Sequence, residues 1–305
     1  MEVRNADLSV NFAGVTLKNP VVTVSGTCGF GEEYAPYYRP EQLGAIAVKG
    51  MTLAPRLGNP PPRIAETPSG ILNSIGLQNP GVDAFIDNEL PRLKRDGAVV
   101  IANIAGSTIS DYCKVAEKLD ETDVDFVEMN ISCPNVKEGG VAFGTNPKTV
   151  SEITNAVRIH TSKPLIVKLS PNVTDITETA KAAEAGGANA LSLINTLLGM
   201  RIDIKTRRPI LHNNCGGLSG PAVFPVRMVW QVRNAVSLPI LGMGGISSAE
   251  DAIEMLIAGA DAVGVGTAMF ANPYLPLEIA DGIAKYMDEN NIKSVADISA
   301  SVMPW

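Results

Sequence analysis

The prediction of the fold starts from the stretch Asp125-Phe126-Val127-Glu128-Met129-Asn130-Ile131-Ser132-Cys133-Pro134-Asn135, followed by Val136-Lys137-Glu138-Gly139-Gly140. Residues 125–129 predict a buried strand. The strand ends here because Pro134 has no backbone N–H to donate and the two glycines favour a loop. A thiol at the exit of a buried strand is a candidate reactive group. The alternative is that Cys133 packs as a small hydrophobic residue, as most free cysteines do, and this stretch alone supports both interpretations equally.

Runs that are almost continuously apolar recur along the chain, as expected of strands buried on both faces of a sheet. The eight predicted strands are Val21–Val24, Ala45–Val48, Val99–Ile104, Phe126–Asn130, Leu165–Lys168, Ala190–Ile194, Ile240–Gly242 and Ala262–Val265. Helical stretches alternate with them, one of which begins at the capping-box pattern Ser247-Ser248-Ala249-Glu250. Eight βα units predict one α/β domain over residues 1–305, a (β/α)8 TIM barrel. Leu8–Phe12 and Val15–Leu17 predict a short β-hairpin before it.

The composition limits the classes of function. The chain has 305 residues, 45% of them hydrophobic, and a net charge of −7, which gives no basic footprint for nucleic acid. Cys28, Cys113, Cys133 and Cys215 form no Cys-x-x-Cys pair. This spacing argues against an iron–sulfur or structural zinc site in the chain and fits a reducing cytoplasm. The N-terminus lacks a signal-peptide pattern, and glycines and asparagines interrupt the longest apolar runs, so we expect no membrane span.

Polar residues and glycines follow the predicted strands at their carboxyl ends, where barrels of this kind place active sites. They include Ser25, Lys49, Gly50, Asn103, Asn130, Lys168, Asn195 and Thr196. One such residue could be a hydrogen-bonded polar group of the core. Two lysines and three asparagines on one rim are costly to bury without partners, which favours a polar ligand. The long insertions 52–79, 132–145 and 197–220 follow strands at the same end.

The last two strand ends carry Gly244-Gly245 and Gly266-Thr267. Backbone amides in glycine turns and at helix N-termini bind anions, and these positions match the phosphate site common to such barrels. The alternative for any one glycine pair is a tight turn without a ligand. His160 and His212 are poorly placed for catalysis, so Cys133 is the candidate acid–base group. Its thiolate is competent where positive charge or hydrogen bonding lowers its pKa.

Several motifs, in this order along the chain, resemble class 1 dihydroorotate dehydrogenase. They are Asn73-Ser74-Ile75-Gly76-Leu77-Gln78-Asn79-Pro80-Gly81, Asn130-Ile131-Ser132-Cys133-Pro134-Asn135, Gly217-Leu218-Ser219-Gly220 and Gly242-Met243-Gly244-Gly245-Ile246. The segment Asn195-Thr196-Leu197-Leu198-Gly199-Met200, with Lys205-Thr206-Arg207-Arg208-Pro209 after it, resembles the type B catalytic subunit in particular. Cysteine at 133, where class 2 membrane enzymes carry serine, also fits class 1.

The resemblance implies oxidation of dihydroorotate to orotate in pyrimidine biosynthesis, with one FMN per chain as the first acceptor. Cys133 is then the catalytic base that removes the C5 proton, and Lys168 the catalytic lysine beside the flavin that receives the C6 hydride. The implied substrate-binding residues are Lys49, Asn73, Ser74, Ile75, Gly76, Leu77, Asn130, Asn195 and Thr196. The implied flavin-binding residues are Ser25, Lys49, Gly50, Asn103, Asn130, Lys168, Ile194, Gly220, Gly244, Gly245, Gly266 and Thr267.

Type B resemblance also implies a partner subunit that carries FAD and a [2Fe–2S] cluster and passes electrons to NAD, in a heterotetramer built on a homodimer of this chain. The chain has neither a dinucleotide fingerprint nor cluster-type cysteine spacing, which agrees with that division. Three alternatives stay open. One is a type A enzyme that uses fumarate without a partner. The others are a phosphate-binding barrel with isomerase or lyase activity and no flavin, and a barrel that serves only as a binding scaffold.

Overall fold

The computed structural model describes residues 6–132, 141–220, 222–303 and 305. Its eight central strands are β3 Val21–Thr23, β4 Ala45–Ala47, β7 Val100–Ile104, β8 Phe126–Asn130, β9 Leu165–Lys168, β10 Ala190–Leu193, β15 Ile240–Met243 and β16 Ala262–Val265. These parallel strands close into a barrel in the order β3-β4-β7-β8-β9-β10-β15-β16 and back to β3. The predicted TIM barrel is therefore confirmed, and each strand bound lies within one residue of its predicted position.

Helices alternate with the barrel strands and cover their outer faces. They are α1 Val82–Ala84, α2 Leu90–Arg95, α3 Ile109–Asp120, α4 Val141–Gly144, α5 Pro147–Arg158, α6 Ile176–Ala185, α7 Val223–Arg233, α8 Ala249–Ile257 and α9 Leu275–Glu289. A π-helix, Phe85–Glu89, joins α1 to α2. Short 3-10 helices span Glu32–Tyr34, Pro40–Gln42, Thr267–Phe270 and Val295–Asp297. None of the helices in the described ranges is long and apolar enough to cross a membrane.

The start of α8 differs in detail from its predicted capping box. Ser248 is the N-cap, and its Oγ accepts a hydrogen bond from the backbone N–H of Asp251 at 3.1 Å. The Asp251 carboxylate in turn accepts hydrogen bonds from Ser247 N and Oγ, each at 2.8 Å. The acidic residue that stabilises this helix start is therefore Asp251 rather than Glu250, because the helix begins one residue later than the pattern predicts.

The barrel separates two apolar cores. Outside it, the helices pack against the strands in one large cluster that includes Val127, Val167 and Leu256. Inside it, a second cluster contains Phe126, Ile166 and Leu241. The N-terminal hairpin, β1 Val10–Phe12 and β2 Val15–Leu17, closes the lower end of the interior, where the rings of Phe12 and Phe126 meet edge to face with centroids 5.9 Å apart.

Two of the long insertions build an antiparallel sheet over the barrel, which we call the cap sheet. It consists of β5 Ile64–Thr67, β6 Gly70–Asn73, β11 Leu197–Gly199 and β14 Gly216–Ser219, in the order β11-β14-β6-β5. A further pair, β12 Ile202–Asp203 and β13 Arg208–Pro209, extends from the second insertion. Asn172 ties this insertion to the barrel, because its Nδ2 donates to Thr196 O at 3.1 Å and its Oδ1 accepts from Leu198 N at 2.9 Å.

Candidate active site

A polar layer lies inside the barrel above the apolar one. Side chains two positions apart on a strand share a face. Glu128 therefore follows Phe126 into the interior, and Lys168 follows Ile166. The strand register places Asn103 beside Glu128 and sets Lys168 between Asn130 and Ser192. Each of these polar side chains is at most 8% exposed. The structure thus brings Asn103, Asn130 and Lys168 together at the carboxyl end of the barrel, as the sequence predicts.

Lys168 is the last residue of β9 and is 5% exposed. Within residues 6–132, 141–220 and 222–303, its ammonium has no hydrogen-bond or ion-pair partner. Burying a charged amine without a partner is costly. This position therefore fits a ligand that presents negative charge or carbonyl oxygens to the floor of the site.

Glu128 is a residue of the site that sequence reasoning missed. It is fully buried and accepts two hydrogen bonds, from Asn103 Nδ2 to Oε2 at 2.5 Å and from Ser192 Oγ to Oε1 at 2.6 Å. The signal was present in the sequence, since a carboxylate in the middle of an apolar strand needs partners. The Asn103 amide thus donates from Nδ2 to Glu128, whereas its Oδ1 is buried with no partner in the described part of the chain.

A second hydrogen-bonded group joins the ends of β8 and β10. Asn195 Nδ2 donates to Ser132 Oγ at 2.7 Å and to Asn130 Oδ1 at 3.2 Å. Ser132, which is fully buried and was not predicted, also donates to Asn130 Oδ1 at 3.2 Å. Tyr112 supports the same turn, because its hydroxyl donates to Asn130 O at 2.7 Å. Asn130 and Asn195, both predicted substrate-binding residues, are therefore held in one network.

The cap sheet brings the other predicted substrate-binding residues to this group. Asn73, at the end of β6, donates from Nδ2 to Gly217 O at 3.4 Å. A Cβ atom on Gly217 would lie 1.9 Å from Thr196 Oγ1, so Thr196 packs directly against the same backbone. Asn73 of β6 and Thr196, which precedes the second insertion, thus both lie against Gly217 of β14.

The segment after Asn73 is fixed by its own hydrogen bonds. Asn59 binds it twice, through Nδ2 to Ser74 O and through its backbone N–H to Ile75 O, each at 2.9 Å. Asn79 Nδ2 donates to Leu77 O at 2.7 Å, and Leu77 has a φ of 57°. Gly76 has a φ of 77° and is buried against Asn59, where a side chain would not fit. The predicted residues 74–77 therefore form a rigid turn at the edge of the cap sheet.

The first two barrel strands contribute Ser25, Lys49 and Gly50. Val24 N donates to Val265 O at 3.0 Å, which places half-buried Ser25 next to the end of β16. A Cβ atom on Gly26 would lie 3.7 Å from Lys49 Nζ. A Cβ atom on Gly50 would lie 2.7 Å from Asn103 Oδ1. Ser25 thus directly precedes the glycine that faces Lys49 Nζ, and Gly50 lies against Asn103 Oδ1.

The predicted phosphate-binding positions lie on neighbouring strand ends. β15 and β16 pair in register, so that Gly244 and Gly245 follow one strand and Gly266 and Thr267 follow the next. The first two have φ values of 111° and 74°, which glycine adopts without strain. Thr267 begins a 3-10 helix, whose first backbone N–H groups have no partner within the helix.

Two further predicted positions, Ile194 and Gly220, lie on the same side of the barrel mouth. Ile194 N donates to Met243 O at 3.1 Å, and a Cβ atom on Gly244 would lie 3.7 Å from Ile194 Cγ1. Gly220 follows β14 and lies two residues before Ala222, the N-cap of α7. Pro225 of α7 in turn packs against Gly244. The predicted flavin-binding residues therefore form an arc around the mouth.

The cysteines differ in their surroundings. Burial raises the pKa of the Cys28 thiol from 9.0 to about 11, and the pKa of Cys113 is shifted in the same direction by burial. Cys28 lies 3.2 Å from Thr23 Oγ1, so it is a neutral packing residue beneath the site. The predicted catalytic residue Cys133 lies outside the described residues. Within those residues, no group of three or more histidine, cysteine or acidic side chains could hold a metal ion.

Comparison with known proteins gives one consistent family. A family profile described as Dihydroorotate dehydrogenase matches residues 7–287. The chain is 59% identical over 294 residues to "Dihydroorotate dehydrogenase B (NAD(+)), catalytic subunit" from Alkaliphilus oremlandii, covering 96% of this chain and 97% of that protein. It is 58% identical over 298 residues to the protein of the same name from Alkaliphilus metalliredigens, covering 97% and 99%. The protein of that name from Halalkalibacterium halodurans is 56% identical over 294 residues, covering 95% and 96%.

A solved structure supports the fold independently. The crystal structure of DHODH from Eimeria tenella in complex with ferulenol superimposes with a TM-score of 0.82, covers 99% of this chain and 90% of that one, and is 24% identical in sequence. At that identity the likeness supports the barrel fold alone. The sequence matches, which extend over nearly the whole chain, establish the family: the chain belongs to the dihydroorotate dehydrogenase family.

Proposed function

We propose that this chain is the catalytic subunit of an NAD-linked dihydroorotate dehydrogenase, a cytoplasmic enzyme of pyrimidine biosynthesis formed by a single barrel domain over residues 1–305. The observation that carries the proposal is the buried Lys168 ammonium, placed beside Asn130 at the end of the barrel interior. In this family such a site takes a flavin and a planar cyclic carboxylate. Both ligands offer the oxygen atoms that a buried ammonium requires.

FMN fits the residues around the mouth. Asn103 Oδ1 is a buried acceptor without a partner in the described residues, and it lies so close to Gly50 that a Cβ atom there would come within 2.7 Å of it. Gly244, Gly245, Gly266 and Thr267 offer backbone N–H groups for a phosphate. Ser25, Ile194 and Gly220 complete the arc. When bound, FMN would supply an acceptor for a hydride.

The dihydroorotate site lies between the barrel and the cap sheet. Asn73, Asn130, Asn195 and Thr196 would bind the ring amides and the carboxylate of the substrate, and Lys49 and the turn of residues 74–77 would complete the site. Asn195 donates to Asn130, and Asn73 donates to the backbone of Gly217, so these side chains are held in place before substrate arrives. Preorganised polar groups of this kind orient the reacting atoms at little entropic cost.

The chemistry divides between a proton and a hydride. Cys133, as a thiolate, would take the proton from C5, which is acidified by the adjacent carbonyl, while the hydride leaves C6 and the C5–C6 double bond of orotate forms. The substrate thereby loses two electrons and two hydrogens. Cys133 directly follows Ser132, which is fixed by its hydrogen bond to Asn195. The Lys168 ammonium would stabilise the negative charge that develops beside it.

Electrons would leave through a separate electron-transfer subunit. We propose that this subunit carries FAD and a [2Fe–2S] cluster and delivers the electrons to NAD, and that two copies of this chain form the core of a heterotetramer. The relatives' name, "catalytic subunit" with NAD(+) as acceptor, supports this arrangement.

Two measurements on purified protein test this function. Flavin released by heating and separated by chromatography should be FMN, in a ratio of about one per chain. Dihydroorotate turnover should then require the electron-transfer subunit when NAD is the acceptor. Rapid turnover of the isolated chain with fumarate would instead favour the type A activity. Protein that neither retains nor takes up FMN would overturn the proposal and favour a barrel with other chemistry.

A further inference from the structure

Glu128 occupies an unusual place for a carboxylate, inside the barrel and fully buried. No basic side chain in the described residues forms an ion pair with it, and its two oxygens accept from an amide and a hydroxyl, Asn103 Nδ2 and Ser192 Oγ. The bond to Asn103 joins β8 to its neighbour β7. The bond to Ser192 reaches past β9 to β10. Within the described residues, the Glu128 side chain therefore bonds one predicted flavin-binding residue, Asn103, and Ser192.

The bond to Glu128 decides which end of the Asn103 amide faces the site. An asparagine amide has a donor end and an acceptor end. Because a carboxylate oxygen accepts, Asn103 turns its Nδ2 toward Glu128, and its Oδ1 must point away. That oxygen is buried, has no partner in the described residues, and lies against Gly50, where a Cβ atom would come within 2.7 Å of it. Leaving such an acceptor unpaired costs free energy, so the site favours a ligand that supplies a donor.

We propose that Glu128 is a positioning residue that fixes the Asn103 amide so that Oδ1 accepts a hydrogen bond from the ring N–H of the flavin. This inference rests on the proposed function. A hydroxyl of the ribityl chain could donate or accept, and would bind either end of an amide. The orientation of the amide therefore affects binding only where the ligand group can donate but not accept, or accept but not donate. The oxidised flavin ring carries one such N–H, at N3.

An exchange of donor and acceptor tests the assignment. The double variant Asn103→Asp with Glu128→Gln reverses the bond, so that the introduced glutamine amide donates to the introduced aspartate carboxylate and still accepts from Ser192. The second oxygen of that carboxylate then remains an acceptor for the flavin. The single variant Asn103→Asp instead sets two carboxylates against each other. The full chain, stripped of flavin, is titrated with FMN and with N3-methyl-FMN, which lacks the ring N–H.

The unmodified protein should bind N3-methyl-FMN about tenfold or more weakly than FMN. The double variant should keep both its FMN affinity, within about threefold, and this preference, whereas Asn103→Asp alone should lose about tenfold in FMN affinity. Ser192→Ala is the matched control, since it removes the other bond to Glu128 and should leave the preference unchanged.

Other outcomes would overturn the inference. A folded double variant with FMN affinity at least tenfold lower would mean that Asn103 presents its N–H group to the flavin. Equal affinity of the unmodified protein for FMN and N3-methyl-FMN would mean that the ring N–H does not donate to Asn103. A double variant that does not fold would also contradict it, because the exchange keeps every hydrogen bond of the network. Failure of the unmodified protein to bind FMN would instead overturn the proposed function itself.

Discussion

Asn195 Nδ2 and Ser132 Oγ are joined by a hydrogen bond of 2.7 Å. The bond connects the end of β10 to the residue that precedes Cys133, across 63 positions of sequence. Because Ser132 also donates to Asn130 Oδ1, one buried hydroxyl orients two asparagines of the proposed substrate site. We therefore expect the hydroxyl to act through these two neighbours.

Ser132→Ala should therefore weaken substrate use more than it weakens the fold. Loss of the hydroxyl removes the shorter of the two bonds that the Asn195 amide donates. We therefore expect kcat/KM for dihydroorotate to fall about tenfold, with FMN affinity nearly unchanged. Steady-state kinetics and flavin titration measure the two effects. Thr154→Val is the control, because it removes a buried hydroxyl that bonds Val150 O in α5, away from the site. Equal losses of activity in both variants would show that only stability is affected.

Lys168→Met should separate activity from stability. The ammonium is buried without a partner in the described residues, so its removal should leave the melting temperature of the flavin-free protein unchanged or raise it. The rate of flavin reduction should fall about 10²–10³-fold, as for other groups that stabilise developing charge.

Lys94→Met is the comparison for Lys168. Its ammonium is 2.7 Å from Asp125 in a half-buried ion pair outside the site. This variant should lower the melting temperature and leave flavin reduction intact. A Lys168→Met variant that melts at a lower temperature yet reduces its flavin normally would mean that the lysine is structural.

Gly217→Ala should disturb Thr196. A Cβ atom there would lie 1.9 Å from Thr196 Oγ1, so the threonine must move. Small displacements of a binding group can cost up to about 10²-fold in rate, and we expect a large fall in kcat/KM for dihydroorotate. Gly199→Ala in the neighbouring strand β11 is the control, since its Cβ meets only a methyl of Leu72 at 3.1 Å. If the two variants have the same kinetics, Thr196 does not bind substrate.

Cys28 should make stability depend on alkaline pH. Burial raises its folded-state pKa from 9.0 to about 11. Below about pH 9 both states keep the proton, and the stabilisation is fully present. As pH rises further the unfolded state loses its proton first, so the free energy of unfolding falls.

Urea unfolding at pH 8 and pH 10 measures this effect. Between these values the unmodified protein should lose about 1 kcal/mol more than Cys28→Ala does. Identical losses in the two proteins would mean that the Cys28 thiol is not shielded from water in the folded state.

The sequence predicts the barrel well because each strand is a short apolar run buried on both faces, which is visible locally. The cap sheet was not predicted. Its strands β5 and β6 are short and partly polar, and they find β14 only across long separations, as the 144 positions between Asn73 and Gly217 illustrate. In short strands that are partly polar or rich in glycine, the hydrophobic pattern specifies the register only weakly.

The site was predicted in part for a similar reason. Polar residues at strand ends, such as Asn130 and Lys168, stand out against apolar runs. Glu128 lies within such a run and was read only as part of the predicted strand. Its partner Ser192 is 64 positions away, so the local sequence does not reveal the hydrogen bond between them. Ser132 was overlooked beside the more reactive Cys133.

An anaerobic absorbance titration of the purified chain with dihydroorotate tests most directly whether this compound is the electron donor. The protein should carry flavin bands, and these should bleach on addition of the substrate, without any partner subunit. Flavin bands that persist would contradict dihydroorotate as the electron donor for this site.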